Sequence, residues 1–251
     1  MVTDMEETLA VIAGIDNPDP NGVAGSTEFN RAKAKLSVTL KRDVESTLLS
    51  DNGAQADTGP GGVPFQTRGL GKWLSTVADT VQAQPASQLL SASQVYDVNV
   101  NGAQTMAAFN EDSLRALLSA RWSQTKKKGN LIGIVGSAVK DAVSDFSRYE
   151  TNRTSKTGVR FYSQIPEKKT VTTVVDVYAG DYGDVEFFLS AFLPNTSRGY
   201  IIDPDYLELR TLRPPGFKPL PDLGGGPRGI IDTIAALAVL NAQAHVKIAG
   251  A

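Results

Sequence analysis

His245 is the only histidine in the chain and cysteine is absent, which removes most of the chemistry a side chain can perform near neutral pH. A thiolate nucleophile, a disulfide framework and a cysteine-ligated metal all require residues that are not there. A histidine metal site would have to borrow its ligands, because no second residue of that kind exists. His245 follows an apolar run, which predicts a hydrogen-bonded structural imidazole. The carboxylates offer two close pairs, Asp203 with Asp205 and Asp181 with Asp184, and paired carboxylates are the raw material of general acid and base work. Asp203-Pro204-Asp205 is first a turn, however, and Asp181 and Asp184 sit beside glycine for the same reason. No Gly-x-Ser-x-Gly nucleophile elbow occurs. The sequence therefore assigns no catalytic residue, no metal ligand and no cofactor; a buried carboxylate pair lining a deep pocket would overturn that expectation.

Three stretches invite a phosphate-binding reading. Asn52 to Gly71 is rich in glycine and proline around Gly59-Pro60-Gly61-Gly62, but a phosphate cradle needs Gly-Lys-Ser/Thr at a helix start, so a mobile, irregular loop is expected. Lys126-Lys127-Lys128-Gly129 places cations at the negative end of a helix dipole. Leu131 to Val135 running into Gly136-Ser137 reads as strand, glycine, helix, yet Gly133-Ile134-Val135-Gly136 lacks the dinucleotide glycine spacing. The 25 basic and 27 acidic residues leave a formal charge of −2, so no global positive field exists to release phosphate counterions.

The elements that must position these groups are legible in part. DNPDPNGVAGS, residues 16 to 26, is turn chemistry, with Ser26 or Thr27 placed to cap a helix beginning near Thr27. Phe29, Ala32, Leu36, Leu40, Val44 and Leu48 recur at helical spacing and Asp51-Asn52-Gly53 supplies a stop, predicting a spine of residues 27–52. Its charged residues Lys33, Lys35, Lys41, Arg42 and Glu45 have two readings, a solvated face or a contact with a neighbouring subunit. Trp73 to Ala92 predicts a short packed helix and a connection, and Val95 to Val100 a strand. Asn110 caps Glu111 to Thr125, whose Leu114, Leu117, Leu118 and Trp122 form a second stripe, and a further helix runs from Ser137 through Phe146. Glu150 to Thr157 reads as an exposed loop. From Val174 to Pro214, four strand-like runs broken by Ala179 to Gly183, Pro194-Asn195 and Asp203-Pro204-Asp205 predict a small antiparallel sheet closed by Pro214-Pro215. Ile230 to Ala244 is helical by propensity.

A chain of 251 residues with 41% hydrophobic composition is long enough for one or two domains with a real core. The acidic start, Met1 to Glu7, has no apolar h-region of a secretory signal. Ile230 to Val239 is interrupted by Asp232 and falls well short of the roughly 20 apolar residues of a membrane helix.

The order of elements from VDVYAGDYGDVEF through YIIDPDYLELRTLRP resembles the major capsid proteins of a group of tailed bacteriophages, which use the Hong Kong 97 phage capsid fold. FNRAKAKLSVTLKRDVESTLLS is similar to the helix entering that family's spine, with a basic-acidic pair like Lys41-Arg42-Asp43 before its final apolar turn; RGLGKWL and NEDSLRALLSARW are similar to the segments that follow. The resemblance spans most of residues 28 to 248. It implies an α+β subunit with a peripheral domain, residues 1–108, an axial domain, 109–214, and a return to the periphery over 215–251, in which Ile230 to Ala244 is a strand. It further implies copies of the chain joined in pentamers and hexamers, with portal, scaffolding or decoration proteins as further partners. Double-stranded DNA would be held non-specifically, within a virion assembled in the host bacterial cytoplasm, without membrane or cofactor. A near-neutral wall suits a container into which DNA is driven, since a strongly basic one would resist movement of the polymer. Lys33, Lys41, Arg42 and Glu45 are then the expected subunit contacts. Family members carry a longer arm and an extended loop ahead of the spine, so these are either shortened here or the chain starts at an internal methionine. Two alternatives stay open: an encapsulin-like nanocompartment shell, and an α/β enzyme using the Gly133 to Ser137 turn.

Overall fold

A 24-residue helix, α1 (Ser26–Leu49), leads the computed structural model, which describes residues 26–76, 89–97, 105–146, 177–221 and 228–249. The apolar stripe turns inward at Phe29, Ala32, Leu40, Val44 and Leu48, whereas Leu36 is left 55% exposed. The helix stops at Leu49 rather than near Gly53. Ser50 donates both its backbone N–H and its hydroxyl to the Thr47 carbonyl, at 3.3 and 2.6 Å. The chain then pairs across itself, Gly69 N–H donating to Asn52 O at 3.0 Å and Gly71 N–H to Ser50 O at 3.1 Å. A methyl on Gly69 would collide with the Ser50 carbonyl, so this approach requires glycine.

The glycine-rich stretch between these anchors is a pinned reversal. Gln55 and Gln66 exchange backbone hydrogen bonds at 3.0 Å, and Gly59 and Gly61 supply φ angles of 97° and 80°. One helical turn, α2 (Leu70–Trp73), follows that pairing; most of the stretch expected to hold a short helix after Trp73, residues 77–88, lies outside the described residues.

Six strands form one mixed sheet: β1 (Val95–Asp97), β2 (Asn130–Val135), β3 (Val177–Gly180), β4 (Gly183–Leu189), β5 (Gly199–Ile202) and β8 (Val246–Ala249), ordered β1-β8-β5-β2-β4-β3. The β3–β4 hairpin is antiparallel as expected, but β2 inserts between β4 and β5 and runs parallel to β4. The last run of the expected four-stranded sheet leaves it. Among the described residues it pairs, as β6 (Leu207–Leu220), with β7 (Arg228–Val239) alone, in a separate antiparallel ribbon. Pro214-Pro215 does not end β6, because register shifts between Thr211 and Gly216 accommodate it. The alanine-rich segment is the strand that the resemblance implied: Phe217 of β6 lies edge-on to Phe29 of α1 at 5.7 Å, so the ribbon is held against the helix. Tertiary pairing overrides helix propensity there. Val174 to Asp176 and Glu150 to Thr157 lie outside the described residues.

The core divides by the faces of the six-stranded sheet. On one face Leu131, Val135, Val185, Phe187, Ile201, Val246 and Ile248 pack with Leu114, Leu117 and Leu118 of α3 (Glu111–Thr125) and with Val139 and Val143 of α4 (Ser137–Asp145). On the other, Tyr200 and Ile202 pack with Leu49, Leu70, Leu74, Leu90 and Leu237. The architecture is α+β, as expected. Leu114→Ala, at a fully buried position, is expected to lower unfolding free energy by about 2 to 5 kcal/mol. Leu212→Ala, at a position 83% exposed, should stay within about 0.5 kcal/mol. Chemical denaturation of the two variants checks the contrast, and equal effects would contradict this assignment of the core.

Candidate functional site

Of the residues singled out for chemistry, Asp203 and His245 meet at one buried point, where Arg121 joins them, and all three are already committed. On α3, Arg121 shares the face of Leu114, Leu117 and Leu118 and is completely buried. Its guanidinium pairs with Asp203 at 2.5 Å, donates from Nε to Ala244 O at 2.8 Å and from Nη1 to Lys127 O at 3.2 Å. Burial pulls the Arg121 pKa down, and the charge and hydrogen bond of Asp203 oppose that. The Asp203 N–H donates to His245 Nδ1 at 3.1 Å, while Asp203 Oδ1 caps the following turn by accepting from Asp205 N–H at 3.2 Å. Gln94 Nε2 closes the group by donating to the carbonyls of Gln243 and His245, at 2.7 and 3.1 Å.

This arrangement joins α3, the end of β5 and the start of β8 rather than exposing a reactive group. The His245 Nδ1 lone pair is occupied by a backbone donor, and desolvation, aided by the Arg121 charge, lowers its pKa from 6.5 to about 4. The imidazole is neutral across the physiological range, as a structural histidine should be. Asp203 and Asp205 do not act together: Asp203 faces Arg121, and the exposed Asp205 pairs with Lys127 at 2.6 Å. Asp181 pairs with Arg115 at 3.0 Å on the surface. At the turn after β2, Gly136 N–H donates to Arg198 O at 2.8 Å and Ala138 N–H to Thr196 O at 3.1 Å, so two of the amides there already have protein acceptors.

Sequence reasoning missed Arg121 and placed Trp122 in its stead on the buried stripe. Trp122 is 39% exposed, 6.0 Å from the Tyr182 ring, with Lys126 Nζ 5.1 Å above it. The available signal was spacing, since position 121 continues the 114, 117, 118 row, and an arginine there demands a buried acid.

A second polar cluster joins α1 to the sheet. Asp51, just past the helix, pairs with Arg198 at the entry to β5. Beside them lies the buried Tyr200, whose hydroxyl pKa is raised, chiefly by burial. A side chain at Gly71 would strike both the Asp51 carboxylate and the Tyr200 hydroxyl, and Lys247 Nζ donates to Gly71 O at 2.9 Å.

The expected contact residues separate into two groups. Lys33 is half-buried, with its Nζ 4.3 Å over the Phe217 ring, and so serves the packing of helix on ribbon. Lys41, Arg42 and Glu45 are exposed on α1. Along the ribbon, Arg213 and Lys218 share Asp232 at 2.5 and 3.1 Å, and their hydrogen bonds hold its carboxyl below the usual range. Leu209 and Leu212 are 52% and 83% exposed.

The described residues form a mixed α+β body in which Arg121, Asp203 and His245 are internal, while the long helix and the ribbon leave apolar and charged side chains exposed. The model of the SU10 major capsid protein family matches residues 3–251, so the chain belongs to that family of phage major capsid proteins. No curated protein matches the sequence. No described helix is long and apolar enough to cross a membrane.

The buried cluster yields two expectations. Arg121→Leu leaves Asp203 buried without its cation and should cost about 3 to 5 kcal/mol in denaturant titrations. For His245, the unfolded chain takes up a proton below about pH 6.5, whereas the folded chain resists until about pH 4. Its contribution is full above that window and declines with acidification, by about 2 kcal/mol at pH 5. His245→Gln should flatten the stability profile between pH 7 and 5. An unchanged slope would show that another group titrates.

Proposed function

We propose that this chain self-assembles into the icosahedral shell enclosing a double-stranded DNA phage genome, in the layout of the Hong Kong 97 capsid fold. The observation that carries the reading is that β6 and β7 pair as a ribbon of their own, outside the hydrogen bonding of the six-stranded sheet and packed against α1, in a chain matched along nearly its whole length by a major capsid family. In this reading α1 and the ribbon form the peripheral part, and the sheet with α3 and α4 forms the axial part. The boundary proposed near residue 214 falls within β6, and the sheet takes β1 and β8 from the segments proposed as peripheral. Copies join in pentamers and hexamers, with Lys33, Lys41, Arg42 and Glu45 on the surface that neighbours meet. Lys33 would act there through the ribbon it holds.

The work of such a subunit is mechanical, without catalysis or cofactor. Repeated heterologous contacts close into rings, and the two-part shape sets the curvature. The formal charge of −2 favours a wall along which packaged DNA is held non-specifically and stays mobile. Portal, scaffolding or decoration proteins would join at the shell, in a virion assembled in the bacterial cytoplasm. Electron microscopy of the full chain, with nuclease-protected DNA measured in particles from infected cells, tests the proposal. Closed particles holding protected DNA are expected. Particles loaded with protein and free of DNA would instead mark a nanocompartment, and a chain that stays monomeric at every concentration would defeat the shell reading.

A further inference from the structure

Two surfaces at different places on the molecule are left open with opposite character. On α1, Val38 is 49% exposed, with exposed Lys35 three residues before it and exposed Lys41 and Arg42 three and four after. Those spacings put all three cations around the valine on one helix face. On the sheet, Asp184, Glu186 and Phe188 alternate outward along β4, and Val177 of β3 lies opposite Glu186 in the hairpin register. Phe188 and Val177 are 49% and 58% exposed. The same sheet face is covered farther along, where Tyr200 and Ile202 of β5 lie under Leu70 and Leu74; among the described residues it is exposed toward β3. Among the described residues, none of Lys35, Lys41, Arg42, Asp184 and Glu186 forms an ion pair.

We propose that these surfaces are the two halves of one contact between copies of this chain, the cation-ringed Val38 of one subunit seated against Val177, Phe188, Asp184 and Glu186 of the next. The inference rests on the shell reading and specifies which faces meet. Each half alone would leave apolar surface in water. Together they bury it, while the opposite charges orient the approach and discourage either face from pairing with its own kind. Because the halves differ, the contact is head-to-tail and can repeat around a ring.

The absence of cysteine makes a clean test available. Chains carrying Val38→Cys are mixed with chains carrying Phe188→Cys, assembled and mildly oxidised. A disulfide-linked dimer should form in the mixture and in neither chain alone. Independently, K41E with R42E, or D184K with E186K, should lower particle yield at low salt by about tenfold or more, and the four changes combined should restore most of it. Circular dichroism confirms that each variant folds. If wild-type particles form but neither cross-link nor rescue is seen, the contact lies elsewhere and the shell reading stands. If only the K41E and R42E pair has an effect, the cationic face meets another partner such as DNA and the contact fails. A wild-type chain that never assembles sinks both.

Discussion

A guanidinium keeps its proton in every protein environment, so a completely buried arginine has to be answered by the structure around it. Arg121 is such a residue. Its requirement fixes the fold's closure: Asp203 must stand at the end of β5, and the carbonyls of Ala244 and Lys127 must point inward. His245 and Gln94 then lock the segment entering β8. Four parts of the chain, at Gln94, Arg121, Asp203 and His245, are thereby held together, and β8 can take its place between β1 and β5. Buried ion pairs contribute modestly to net stability but penalise every arrangement that leaves one partner unmatched. Here that penalty favours a single placement of the C-terminal strand.

On this closed body the second polar cluster sets the direction of α1. Asp51 and Arg198 join where the helix ends and β5 begins, and Gly69 and Gly71 permit the backbone approach that a larger residue would block. Phe29 and Lys33, farther back along the helix, receive Phe217 from the ribbon. Helix, ribbon and sheet are therefore tied at separate points. A subunit that transmits force through many weak contacts needs this kind of internal connection, because a slack joint would let neighbouring copies drift out of register.

Local periodicity made much of this legible. The stripe of α1, the Asn110 cap of α3, which accepts from Ser113 N–H at 2.9 Å, and the β3–β4 hairpin all follow from neighbours close in sequence. What the sequence did not disclose depends on distant partners. Nothing local to Tyr206 to Leu212 says that β6 abandons the sheet for β7, or that β2 inserts between β4 and β5. The helix end was misplaced because Ser50 turns toward Gly71, a contact invisible along the chain. Arg121 was missed for the same reason: its acid lies 82 residues away. Lys33 was read as a charge on the outer surface, and only the fold places an aromatic ring beneath it. The hydrogen bond expected of His245 is present, accepted from Asp203 N–H at a fully buried position. Family membership came from the order of motifs, and the α+β class followed from that resemblance.

The central claim is that this chain is the wall of a phage shell and not an occasional component of it. Quantitative mass spectrometry of virions purified from infected cells measures that directly. The chain is expected to be the most abundant protein in the particle, in a constant ratio to the packaged DNA across preparations. A chain present in only a few copies per genome, or lost when the particles are washed, would contradict it.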